Sequence, residues 1–151
     1  MSGDSRDYSL DVSEYLFRLT TESLRLLSND TKTYQSITSL VEKLAGPTAA
    51  DALAQHDIET LRQHLSKIPT GGPIRIHLQI ARTSADNLFE AKRRLGEALG
   101  TDLTVADAIS MLLFDYVVDK SATKLLTQMG IEPGESAKKS AEESGKIVPL
   151  R

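Results

Sequence analysis

Cysteine is absent from the 151 residues. Disulfide frameworks, zinc–thiolate sites and cysteine nucleophiles are thereby excluded together, and a reducing, cytoplasmic setting is expected. Tryptophan is absent too, and aromatics make up only 5% of the chain, so the core must be built from Leu, Ile, Val and Ala. No stretch approaches the ~18 consecutive apolar residues that a membrane span requires. The opening Met1-Ser2-Gly3-Asp4-Ser5-Arg6-Asp7 has no apolar segment and is not expected to act as a secretory signal. A basic excess is also missing: 18 Lys+Arg stand against 21 Asp+Glu, for a net charge of −3. That balance weighs against nucleic acid, whose usual mark is a basic footprint.

Chemical signatures are equally scarce. There is no Gly-x-Ser-x-Gly, no Walker loop, no His-Glu-x-x-His and no glycine-rich dinucleotide turn. His56 and His64 stand two helical turns apart, but no further ligand completes a metal set. The chain is expected to be neither an enzyme nor a holder of metal or cofactor.

What is present is concentrated between Ile74 and Lys120. Ile74, Ile76, Leu78 and Ile80 alternate with Arg75, His77 and Gln79. Successive strand side chains point to opposite faces, so one face is aliphatic and the other carries three side chains able to hydrogen-bond a base edge. A lone strand leaves its backbone groups unpaired, which points to pairing across a dimer. Two amphipathic helices follow. The first is expected to be capped by Thr83 or Ser84 and to run to about Leu99, with Gly100 at its end. The second opens on the capping box Thr104…Asp107 and carries the stripe Val105, Ala108, Ile109, Leu112, Leu113, Tyr116 and Val117. Charge is segregated along the segment. Arg75, Arg82, Lys92, Arg93 and Arg94 face only Asp86 and Glu90 over residues 74–94, whereas residues 95–119 hold five acids and no base.

The preceding region is expected to be helical and small. One helix is predicted from Val12 to Leu27 with Ser13 as cap, and a second from Thr33 to Ala45, ended by Gly46-Pro47. Thr48…Asp51 resembles a capping box opening a third, with a break near His56-Asp57. The division is therefore residues 1–68 as an N-terminal helical region, 69–73 as a Pro/Gly linker, 74–130 as the main unit and 131–151 as a flexible tail, with a short helix near Ala122–Met129. Residues 1–9 are polar and expected to be loose. An alternative is that Tyr8–Val12 forms a strand and residues 8–45 echo the strand–helix–helix layout, so that the ribbon closes within one chain.

Strand, helix, glycine-containing turn and helix together make residues 74–119 resemble a ribbon-helix-helix domain of the Arc/MetJ kind. The resemblance implies a mainly α fold in which two chains pair their strands into an antiparallel ribbon that enters the major groove. It implies Arg75, His77 and Gln79 as base readers, and Thr104 and Val105 as the amide anchor for a phosphate, with Arg82 and Lys92 as further phosphate contacts. It places Ile76, Leu78, Ile109, Leu112, Leu113 and Tyr116 in a dimer core. Two acids, Asp102 and Asp107, lie where a phosphate would approach. The implied partners are double-stranded DNA and a second copy of the chain. The implied role is sequence-selective binding by a repressor or an accessory factor in plasmid partition or conjugal transfer. The alternatives are a helical adaptor without DNA binding, with residues 10–68 as partner surface, and an antitoxin whose tail grips a toxin.

Overall fold

The computed structural model describes residues 5–130. Among them the chain is mainly helical, with two strands and six helices. The order is β1 (Ser5–Val12), α1 (Glu14–Thr31), α2 (Ile37–Leu44), α3 (Ala49–Ala54), α4 (Ile58–Lys67), β2 (Ile74–Ala81), α5 (Arg82–Leu99) and α6 (Val105–Gln128). Contacts divide the chain after Tyr116. The core lies in the unit before that point. The described part of the second unit is the remainder of α6 and the Met129-Gly130 turn.

The strand at Ile74–Ala81 forms, and its partner lies in the same chain. β1 and β2 pair antiparallel over their full length, from Ser5 opposite Ala81 to Val12 opposite Ile74. The expectation of one strand per chain, paired across a dimer, is corrected: the backbone groups of β2 find partners in a segment expected to be loose. Residues 1–68 are therefore not purely helical, and Pro69–Pro73 is a turn inside one compact unit. Ser13 N–H donates to the Thr70 carbonyl at 2.9 Å and Gly72 N–H to the Asp11 carbonyl at 3.3 Å, closing this turn on the end of β1.

The two strands open two equivalent halves. Adding 68 to the bounds of α1 gives those of α5: Glu14 falls on Arg82 and Thr31 on Leu99. Each helix ends on a left-handed residue, Lys32 at φ 59° and Gly100 at φ 73°. In each, the next amide turns back to the same carbonyl, Thr33 to Ser28 and Thr101 to Gly96. Four residues further on, each half starts its next helix with a capping box, Ser36/Ser39 before α2 and Thr104/Asp107 before α6. The buried positions also correspond: Leu16, Thr20, Ser23 and Leu27 on α1 fall on Ser84, Leu88, Ala91 and Leu95 on α5. So do the exposed ion pairs Glu22–Arg25 and Glu90–Arg93.

These faces meet in one core with the inner faces of the ribbon, where Val12 and Ile80 are each 1% exposed. Burying a side chain such as Leu27 or Leu88 contributes about 1.5–3 kcal/mol relative to leaving it in water. Thr20 and Ser23 enter the core because their hydroxyls donate to the Leu16 and Leu19 carbonyls one turn back.

Several local expectations are corrected. The buried stripe of α1 passes through Leu16, Thr20, Ser23 and Leu27. The second helix starts at Ile37, where Ser36 supplies the cap, rather than at Thr33. Thr48 makes no side-chain cap, and Asp51 instead meets Arg94 at 3.1 Å. Helix α5 starts at Arg82 without a Thr83 or Ser84 cap, and the Ala81 N–H donates to the Glu42 carboxylate at 2.6 Å. The short helix near Ala122–Met129 is the continuation of α6. The break at His56-Asp57 is present, with Asp57 capping α4. The tail at 131–151 lies outside the described residues.

Candidate nucleic-acid interface

The outward face of the ribbon is formed by Asp7, Ser9 and Asp11 of β1 and Arg75, His77 and Gln79 of β2, all exposed. The register sets Asp11 opposite Arg75, Ser9 opposite His77 and Asp7 opposite Gln79. Alternation in both strands puts these polar side chains on one side, because the aliphatic side is taken into the core.

The three expected readers are thus brought together, and each has a neighbour on β1. Arg75 donates from Nε and Nη2 to the two carboxylate oxygens of Asp11, at 2.8 and 3.1 Å. This contact holds the Asp11 carboxyl below its usual range and the Arg75 guanidinium above its own. Both remain more than half exposed. His77 Nδ1 lies 3.1 Å from Ser9 Oγ. Gln79 Nε2 donates to Ser5 Oγ at 3.3 Å. No side-chain hydrogen bond or ion pair engages Asp7 among the described residues.

The flanks of the ribbon differ. On the β2 side, the Thr38 hydroxyl on the first turn of α2 donates to the Gln79 carbonyl at 3.1 Å, and that turn holds no acid. Against the Pro69–Pro73 turn, the expected phosphate anchor at Thr104 and Val105 is built around an acid. Thr104 N–H donates to Asp107 Oδ2 at 3.0 Å, and the other oxygen accepts from the Thr70 hydroxyl at 2.7 Å. The Thr104 amide is therefore committed to the cap. Asp102 is exposed in the preceding turn.

Of the two remaining expected phosphate contacts, Arg82 is exposed at the first residue of α5, next to the ribbon. Lys92 stands about 15 Å further along that helix, with its ammonium 5.5 Å from the Phe89 ring; it is not brought to the ribbon. The side chains expected in a dimer core are covered by this chain alone. Leu78, Ile109, Leu112, Leu113 and Tyr116 are each no more than 7% exposed, and Ile76 packs against them partly buried.

From the sequence, Ser9 and Asp11 read as poor base readers, and Asp7 and the α2 start at Ser36–Thr38 carry no mark as candidate site residues. The signal that bears on them is the faint strand–helix–helix echo over residues 8–45.

Away from the ribbon, α6 packs on the α3–α4 region through two histidines. His56 Nε2 lies 2.6 Å from Asp115, and His64 Nε2 lies 2.8 Å from the Ser110 hydroxyl. Burial lowers the pKa of His64, partly opposed by the backbone of Ser110. No cluster of His, Asp and Glu suited to a metal ion occurs among the described residues. No described helix is long and apolar enough to cross a membrane.

Neither a family model, nor a curated protein, nor a solved structure matches the chain.

Proposed function

We propose that this chain binds double-stranded DNA sequence-selectively, reading the major groove with a ribbon built from its own two strands. Under this proposal residues 5–116 are a ribbon-helix-helix unit whose two halves share one polypeptide. The supporting observation is the exposed outward face of β1 and β2, where Arg75, His77 and Gln79 stand in a row on a rigidly backed ribbon. A two-stranded ribbon has the width of the major groove, where every base pair presents a distinct donor and acceptor pattern. Asp11 takes the Nε–H and one Nη2–H of Arg75, which leaves the second Nη2–H and the Nη1 donors for the two-point grip on guanine O6 and N7. Gln79 suits adenine in the same way. Repression, plasmid partition and conjugal transfer are all served by such a contact.

A second reading, a protein-binding adaptor without DNA contact, is favoured by one observation: Asp7 and Asp11 share the face with Arg75, and Asp107 sits at the start of α6. Salt dependence separates the two. Binding of the full chain to a labelled mixed-sequence duplex is measured by anisotropy from low to physiological salt. A log–log slope corresponding to several displaced counterions supports groove binding. Absence of binding, or a flat response, supports the adaptor.

A further inference from the structure

In a ribbon with true two-fold symmetry, the outward side chains are one set written twice. In this chain they are two different sets. The 68-residue repeat carries Asp7 onto Arg75, Ser9 onto His77 and Asp11 onto Gln79. Ser9 and His77 are both equivalents in the repeat and partners across the ribbon, so their 3.1 Å contact lies on the pseudo-axis. On either side of it the chemistry is opposite. The β2 set offers a guanidinium and an amide, whereas the β1 set offers two carboxylates, which only accept. The helix starts beside the ribbon differ in the same sense, Ser39 closing the box of α2 and Asp107 that of α6.

Resting on the DNA-reading function above, we infer that the target is a single non-palindromic duplex site bound by one chain. Arg75 faces guanine in one half of the site. Asp7, the carboxylate left without a partner by the ribbon, faces an exocyclic amine, of cytosine or adenine, in the other half. Asp11 is a positioning residue that aims Arg75. Two identical strands would demand inverted half-sites, whereas a donor-rich strand paired with an acceptor-rich one matches no inverted repeat.

The test is enrichment of binding sequences from a random duplex pool with the full wild-type chain, followed by the mass of the complex on the shortest enriched duplex. The expected results are a motif without two-fold symmetry and one chain per duplex. Arg75→Ala should relax preference at a base pair in one half by about 5- to 150-fold, and Asp7→Asn should do so at a base pair in the other half. A palindromic motif with two chains per site overturns the inference while leaving DNA reading intact. An Asp7→Asn profile identical to wild type overturns the assignment of Asp7. No enrichment at any salt overturns the DNA reading itself.

Discussion

Arg75 and Asp11, 64 residues apart in sequence, meet across the ribbon through two hydrogen bonds of 2.8 and 3.1 Å. Exposed pairs of this kind contribute little to stability, so their weight falls on geometry. The pair fixes where the guanidinium points and places a negative charge beside it. Removing the carboxylate should therefore move two quantities in opposite directions. Asp11→Ala is expected to raise affinity for mixed-sequence duplex, by relieving repulsion from phosphates, and to lower the ratio of preferred to mixed sequence several-fold. Competition binding with the two duplexes checks this. Both quantities rising together would show that Asp11 does not aim Arg75.

Lys32 adopts φ 59° where the other half of the chain places Gly100 at 73°. A left-handed non-glycine residue costs about 1–2 kcal/mol, partly offset by the greater freedom of glycine in the unfolded chain. Lys32→Gly should stabilise the protein by about 0.5–1 kcal/mol, read as a higher urea midpoint at unchanged m-value. A lower midpoint would mean that the Lys32 ammonium, 3.3 Å from the Asn29 carbonyl, outweighs the backbone strain.

Gly72 permits the closest backbone approach at the start of β2. A Cβ there would lie 2.5 Å from Ser13 Cα and 2.8 Å from the Val12 carbonyl oxygen. Gly72→Ala must push the turn off the end of β1, at a cost of about 1–3 kcal/mol. Gly71→Ala, where nothing lies within 4 Å, is the control and should have a small effect. Equal losses in both variants would argue against this packing.

His64 is buried against Ser110 with its pKa lowered by burial. Below about pH 6.5, the ordinary imidazole value, the unfolded chain takes up a proton that the folded chain resists. Stability should therefore fall with falling pH from there down to the depressed folded value, and level off below it. The Tm difference between wild type and His64→Gln, followed from pH 7.5 to 5, isolates this contribution. It should shift against wild type as the pH drops. A pH-independent difference would show that His64 titrates normally in the fold.

The sequence declares some of these elements and hides others for identifiable reasons. Strand β2 is legible because four aliphatic residues alternate with three polar ones. Helix α6 is legible because Thr104 and Asp107 box its start. Strand β1 is concealed: Ser5, Asp7, Ser9 and Asp11 are poor strand formers, and Arg6 interrupts the apolar face. Its extended state is imposed by pairing with β2, a contact announced only by the faint strand–helix–helix echo over residues 8–45. The repeat is concealed in the same way. Between α1 and α5 only Glu22/Glu90, Arg25/Arg93 and Leu27/Leu95 are identical. Core volume is exchanged between the halves, Leu16 for Ser84 and Thr20 for Leu88, so the two helices show different stripes while burying equivalent positions. The outward face was half legible, since the β1 half could be assigned only once the register was known.

The most direct test of the account removes the outward donors of β2 together. The triple variant Arg75→Ala, His77→Ala, Gln79→Ala alters only exposed side chains and should keep the wild-type helical signal and unfolding midpoint. Its affinity for an enriched duplex, relative to a mixed-sequence one, is the quantity to measure. The account predicts that this ratio falls by about 100-fold or more, leaving only the preference that Asp7 contributes, since each lost base contact forfeits ~1–3 kcal/mol of discrimination. A folded triple variant that still prefers the enriched duplex as wild type does would contradict it.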